Sequence, residues 1–529
     1  MNMKKSRTDR LLLILFISAG LFCLIYALIS LRWKMAHDAP LYLYSGLLMD
    51  RFGMVPYIDF YTVNAPGTLL WHEFLYRVIG TSDFIFRLID LWFLGLLTWS
   101  GWYYLRVWKN RTAAIAGPLL FAMTYLGTGH WHSMQREYFT LLPLVLSLIA
   151  AFRFTGWSLY LRALIIGFLF SLIISIKPVP GLAFPVVLMG MLCYDPALKG
   201  KHGRKALITA VSALGLIIGL SIPLIYLACR GALKDFTEMA VTYWPVYSKL
   251  DGTGQTHNVL AEYIRTLDVA GLFSNLQRYR FFGLLPIGLF CSYWVSKDNR
   301  QRQIEIMVLF GLIPVFLIAL WTANKMWIYH HFPLFLILSY LSGFALFPLD
   351  KNRVFQDRMG RAILFVAILM IVTVLPVRSL GRQIRDFVQG KEMVVKNGDV
   401  REITAFLEAN LKEEDRVVPL DVTGGAIHAM YRAGARIGSS FFCDWHFYHN
   451  CHLPYVQKLR SRMIQELTGN RSRFIIQFHE KWKPWGKRAC PEFPELDRII
   501  LDMYEPVFKS ANYTIYEIRK SDASVLYEN

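Results

Sequence analysis

The 529-residue chain is 55% hydrophobic and 15% aromatic, richer in apolar residues than the roughly 45–50% of a soluble protein. The excess comes as repeated apolar runs of about 17–25 residues, the length that crosses a hydrocarbon core of about 30 Å, so a soluble globular class is excluded. The formal charge of +19 could suit nucleic acid, but residues 380–529 hold 22 Lys and Arg against 20 Asp and Glu. The excess therefore sits in short loops between apolar runs, as membrane topology alone requires, and nucleic acid is dropped as a partner.

In chain order, residues 1–10 form a basic tail expected to stay cytoplasmic. The first apolar run, 11–31, is too long for a removed signal peptide and lacks a small-residue cleavage site, so it reads as a retained anchor. Further spans are expected at 83–106, 112–127, 138–152, 161–176, 179–193, 206–229, 281–296 and 304–322, then one ending near Phe347 and one at 362–377. With the N-terminus cytoplasmic, every short basic loop falls on the cytoplasmic side and every long loop outside. The expectation is a polytopic α-helical protein of a plasma (inner) membrane, with about eleven transmembrane helices.

Residues 380–529 read differently. A helical pattern, VREITAFLEANLKEEDR, precedes the β-rich runs RVVPLDV, ARIGSSF, RFIIQF and YTIYEI. Strands alternating with helices predict a small extracytoplasmic α/β domain behind a transmembrane domain of residues 1–379. Cys443, Cys451 and Cys490 fall in this part, where an oxidising compartment permits disulfides. The dense stretch Cys443–His452 holds ligand-type residues at no spacing typical of zinc. A Cys443–Cys451 disulfide or an acceptor-facing loop is the expectation there.

The first external loop, residues 32–82, is some 50 residues long, far more than a connector needs. It places Asp38 just beyond the first span, then a helix-like run to Asp50, then Gly53, Pro56, Tyr57, Asp59 and Phe60, then Asn64-Ala65-Pro66-Gly67. Solvated turns and interfacial aromatics would account for many of these residues. Carboxylates at the membrane surface, however, lie where a lipid headgroup presents its reactive atom. Arg136, Lys177, Lys325, His330 and His331 fall at span ends on the same side. Each alone could simply snorkel to the interface; as a set they could meet phosphate charge. Glu137 could bind a metal or an acceptor, or pair with Arg136.

The order Asp38, Gly53-x-x-Pro56-Tyr57-x-Asp59-Phe60, Asn64-x-Pro66-Gly67, then Gln135-Arg136-Glu137 and Tyr329-His330-His331-Phe332-Pro333 resembles that of the C-type (GT-C fold) glycosyltransferases. These are polytopic enzymes that use lipid-phosphate sugars, among them protein O-mannosyltransferases and the aminoarabinose transferases of lipid A. The family's first loop often has two adjacent acids, whereas here Asp38 is followed by Ala39. The resemblance implies transfer of a sugar from a polyprenyl-phosphate-linked donor to a glycan, lipid or protein acceptor, with inversion at the anomeric carbon. It makes Asp38 the candidate base, with Asp59 in reserve. Arg136, Glu137, Lys177, Lys325, His330, His331, Tyr57 and Asn64 become candidates for substrate binding, and a divalent metal stays open. The competing class is a transporter or flippase, which would place ionisable residues on broken helices near the midplane; the Lys177-Pro-Val-Pro-Gly break is what that reading could claim.

Overall fold

The computed structural model describes residues 7–108, 111–248, 250, 285–323, 327–345, 377–421, 424–470, 472–479 and 492–519. Its helices follow the apolar runs closely. The helices Asp83–Leu105, Leu159–Ile176 and His202–Cys229, and the stretch Arg300–Leu320, are each long and apolar enough to cross a membrane, and Phe16–Ser30, Ala114–Thr128 and Val179–Tyr194 are shorter apolar segments. Large apolar side chains remain exposed on their outer faces, as at Ile217, Ile225 and Met307, which a bilayer rather than water would cover. The expected span at 138–152 is divided: Arg136–Phe139 is one short helix and Leu141–Phe152 the next. The expected span at 362–377, except for its last residue, lies outside the described residues.

Tight helix packing rests on small residues, since lipid gives apolar side chains little reason to associate. The helices Leu159–Ile176 and His202–Cys229 cross so closely that a Cβ on Gly215 would stand 2.2 Å from the carbonyl oxygen of Leu164. Gly215 and Gly219 form a small-xxx-small pair that the apolar-run pattern alone does not reveal. Charge also joins helices. Arg87 and Asp90, both 0% exposed, form a buried ion pair; Arg87 also donates to Ser30 Oγ (2.8 and 3.0 Å) and lies 4.2 Å over the Trp33 ring. At the opposite ends of the spans, Arg153 grips Glu305 bidentately and donates to the Tyr104 carbonyl at 2.7 Å.

The C-terminal region builds a five-stranded sheet from β1 (Arg416–Leu420), β2 (Arg436–Ile437), β3 (Phe474–Phe478), β4 (Tyr504–Lys509) and β5 (Tyr513–Ile518), in the order β2-β1-β3-β5-β4. β1 runs parallel to β2 and β3, while β5 is antiparallel to β3 and β4. Pro419 sits in β1 without breaking the ladder. β2 ends at Ile437, so no partner strand stands beside the position where the missing N–H would point. The sequence pattern misses β4 for a physical reason. It is an edge strand, exposed along nearly its whole length and interrupted by Pro506, and so shows no apolar alternation.

The expected pairing of Cys443 with Cys451 is incorrect. Cys443 is a free thiol and Cys451 is disulfide-bonded; Cys490 lies outside the described residues. Cys443 is half-buried, at the start of a segment packed by aromatic rings rather than held by a local crosslink.

The first loop is clasped between the spans and this sheet domain. Tyr61 donates its backbone N–H to Ser440 O at 2.6 Å, and Tyr44 its hydroxyl to Ala435 O at 2.9 Å. Phe60 packs on Phe442 with ring centroids 5.1 Å apart. From the other side Trp244, in the long loop after His202–Cys229, donates its indole N–H to Val63 O at 2.8 Å.

Candidate functional site

The helix Ala39–Phe52 begins at Asp38 and stops at Gly53, whose φ of 62° is the left-handed conformation that ends a helix. An aspartate at the N-cap ordinarily accepts from the helix's own N–H groups. Asp38 makes no such cap bond. Its carboxylate accepts instead from the Tyr329 hydroxyl at 3.2 Å and, more loosely, from Tyr42 at 3.5 Å, with His37 Nδ1 at 3.0 Å. Burial alone would raise its pKa, but His37, Arg136 and the Tyr329 hydrogen bond together hold the carboxyl below its ordinary value, so it stays ionised. His37 adopts a left-handed φ of 57°, a conformation disfavoured for a bulky residue, and is ringed by Trp131, Trp327 and Tyr329.

Glu137 lies beyond Asp38, only 1% exposed. One of its oxygens meets Lys177 and His330, and Lys177 Nζ is 2.8 Å from His330 Nδ1. Burial opposes charge on Glu137, but Lys177, His330 and Arg136 outweigh it and hold the carboxyl well below the usual range. Burial, with Arg136 nearby, pulls Lys177 down to about 8 in spite of Glu137. His330 falls to about 4, through burial and then Lys177. It is therefore neutral and offers a hydrogen bond, where the sequence suggests a cation. Arg136 is held by the Asn64 amide oxygen and lies 5.2 Å from the Tyr42 ring centroid.

The Asn64-Ala65-Pro66-Gly67 turn brings these segments together. Thr68 Oγ1 donates to Ile176 O at 2.8 Å, and a Cβ on Gly67 would stand 2.4 Å from Ser175 Oγ. Only glycine lets the turn press onto the end of Leu159–Ile176, next to Lys177. Tyr57, at φ 71°, donates its hydroxyl to Asn64 O at 2.6 Å, so it shapes the turn from within.

The structure thus gathers Asp38, Asn64, Arg136, Glu137, Lys177 and His330. Asp59 stands apart: exposed, it accepts from the Val55 N–H at 2.6 Å and closes the Pro56–Phe60 turn. His331 turns toward the Trp327 carbonyl and stacks on Phe335. Lys325 lies outside the described residues. The sequence reading assigns no role to Tyr42, His37 or Tyr247. Burial, offset in part by Arg136 and reinforced by Asp38, pushes Tyr247 up to about 12, which places it within the field of the same cluster. Aromatics abound at any membrane interface, and that abundance hides them; the Tyr329-His330 sequence beside a span is the one available signal. Three buried polar atoms of the cluster, Glu137 Oε2, His330 Nε2 and Arg136 Nε, have no hydrogen-bond partner among the described residues. Such orphans are uncommon and mark places where a ligand completes the network.

This architecture, a bundle of apolar helices with a long structured first loop under a C-terminal sheet domain, is the GT-C membrane fold. It is similar to the crystal structures of ArnT from Cupriavidus metallidurans in the apo state and bound to undecaprenyl phosphate (TM-scores 0.58 and 0.59). Both are 12% identical in sequence, and in each case 96% of this chain and 98% of that one are covered. It also resembles the apo oligosaccharyltransferase of Archaeoglobus fulgidus (TM-score 0.50, 13% identity, 90% of this chain and 70% of that one). No protein-family model matches the sequence, and no curated protein matches it.

Proposed function

We propose that the protein is an integral membrane glycosyltransferase that moves a sugar from a polyprenyl-phosphate-linked donor to a hydroxyl or amine of a glycan, lipid or protein acceptor. The proposed arrangement has about eleven spans with the N-terminus cytoplasmic. Residues 1–379 form the transmembrane domain, and residues 380–529 an extracytoplasmic domain, so the chemistry faces the outer side of the plasma membrane. The observation that carries this reading is the convergence of an ionised, non-capping Asp38 with Arg136 and Lys177 around unpartnered buried polar atoms, inside a GT-C fold.

In this reading the acceptor oxygen attacks the anomeric carbon from the face opposite the phosphate. The bond from that carbon to the phosphate oxygen breaks, and its electron pair leaves with the lipid phosphate. The acceptor's proton passes to Asp38, a step worth about 10²–10⁴-fold. As the diester becomes a monoester its charge grows from one to about two, and Arg136 and Lys177 meet that charge. Arg136 suits forked contact with phosphate oxygens, and Lys177 acts as a point charge. Glu137 and His330 hold Lys177 in place. Among the described residues no three His, Cys, Asp or Glu side chains converge on one point, and Glu137 is already met by Lys177, so no step is routed through a metal.

The test is Asp38→Asn in purified, reconstituted protein, following radiolabelled sugar from polyprenyl phosphate into acceptor. Transfer should fall about 10²–10⁴-fold while insertion and thermal unfolding stay unchanged. Parent-like transfer by the variant would remove Asp38 as the base. Vesicle uptake of labelled donor by the parent with no transfer would favour a transporter.

A further inference from the structure

A polar cavity of about 370 Å³ lies away from the Asp38 cluster, where the first loop meets the C-terminal sheet; its walls include Phe52, Asp59, Arg416, Arg436, Arg462 and Glu466. Its volume falls within the about 300–1,000 Å³ usual for small-molecule sites. Arg416 and Arg436 stand directly opposite each other in register across β1 and β2. Like charges so placed repel and weaken a sheet. Burial and then Arg436 pull the Arg416 guanidinium below its ordinary value, with no carboxylate acting on it among the described residues. The cavity's own acids form no ion pair with these two arginines: Glu466 holds Arg462 at 2.7 Å and the Ser440 N–H at 2.6 Å, and one oxygen of Asp59 accepts from the Val55 N–H, which leaves its other oxygen for a ligand. Arg51 stands next to the lining residue Phe52. It and Arg436 lie over the Phe52 ring at 5.4 and 5.7 Å.

Two facing guanidiniums that form no ion pair among the described residues make a fork ready for an oxyanion. The space around them exceeds what a bare phosphate needs. Asp59 and Asn470 line the remainder and can meet hydroxyl groups, and the polar walls offer no trough for an acyl chain. We propose that this cavity binds an acidic saccharide, with Arg416 and Arg436 gripping its phosphate or carboxylate while Asp59 and Asn470 take ring hydroxyls. The site is separate from the proposed reaction centre, and none of Asp38, Arg136, Glu137, Lys177 or His330 lines it.

Calorimetric titration of the full-length protein in detergent tests this with glucose 6-phosphate, glucuronate, glucose, inorganic phosphate and glycerol 3-phosphate. Glucose 6-phosphate and glucuronate should bind, glucose should not, and the other two should bind more weakly. Arg416→Gln and Arg436→Gln should each weaken glucose 6-phosphate by about tenfold or more, the worth of a lost charge-assisted bond. Arg401→Gln, a change at an exposed arginine outside the cavity, should have no effect. Unfolding midpoints of the two cavity variants should not drop, because each relieves the facing repulsion. Parent-like binding by the Arg416→Gln/Arg436→Gln double variant, or no binding of either acidic sugar, would overturn the proposal. Equal binding of inorganic phosphate or glycerol 3-phosphate would overturn its saccharide part. Asp38→Asn should bind glucose 6-phosphate as the parent does, so failure here and failure of the proposed transfer are separately visible.

Discussion

Asp38 shows how a residue's local duty and its chemistry can be told apart. A helix-starting aspartate is expected to serve its own helix; this one leaves the N–H groups to others and turns to Tyr329 and His37. Its position was legible in the sequence because an acid directly after an anchor has few structural uses. Arg136, Glu137, Lys177 and His330 were legible for the same reason, as charged or polar groups at span ends. Tyr42 and Tyr247 were not, since an interfacial tyrosine is ordinary and only three-dimensional proximity distinguishes these; Tyr329 stood out only through its place beside His330. The charge state of the site makes a prediction at this scale. Lys177 is cationic below about 8 and loses its proton above it, while Asp38, held below its ordinary value, stays ionised on the acid side of neutrality. For the unliganded protein, kcat/KM should therefore fall as pH rises past about 8 and stay level toward mild acid. The fall in kcat should come at higher pH, because the bound phosphate favours the cation. Lys177→Arg, which stays protonated, should abolish the alkaline fall; a pH–rate profile of both proteins checks it.

Among the elements, apolar-run length located the helices well, because a span must satisfy its backbone internally and so must be long and continuous. It could not reveal what selects their partners. The close crossing at Gly215 and the Arg153–Glu305 clamp depend on single positions within otherwise uniform helices. The clamp is nearly solvent-free, with side chains 3% and 4% exposed, and so carries a definite consequence. Removing one partner leaves the other charge buried alone, a loss of about 3–5 kcal/mol. Glu305→Gln should lower stability by about that amount, read as a drop in the thermal unfolding midpoint in detergent. Replacing both partners by Met and Leu should recover most of the loss, because a buried pair and well-packed apolar groups are often close in worth. In the sheet, β1 and β3 were visible as buried β-rich runs, while the exposed edge strand β4 had no pattern to show.

For the whole molecule, the first loop is a shared wall. The spans hold one side through Thr68 and Asn64, and the sheet domain holds the other through Tyr61 and Phe60. That docking was beyond the sequence reading, which found both bodies but no sign that they meet at this loop. Phe442 is the seam's apolar anchor, 5% exposed and packed on Phe60 and Tyr44. Phe442→Ala should cost about 3–5 kcal/mol, concentrated at the seam. Transfer should fall while the helices remain folded, and limited proteolysis should cut first within residues 53–64. Cleavage confined to the spans instead would show that the seam does not hold the loop.

The clasp also imposes an order of events during synthesis. Tyr44 and Ala435 are 391 residues apart in the chain, so the loop emerges long before the surface that will cover it. At about 5–20 residues per second, the first loop waits on the order of 20–80 s with Tyr61's edge open. Pro56, Asp59 and Pro66 around Tyr61 deny a regular strand to any passing neighbour. The loop that carries Asp38 is thus covered on its sheet-domain side only after residues 435–442 have been made.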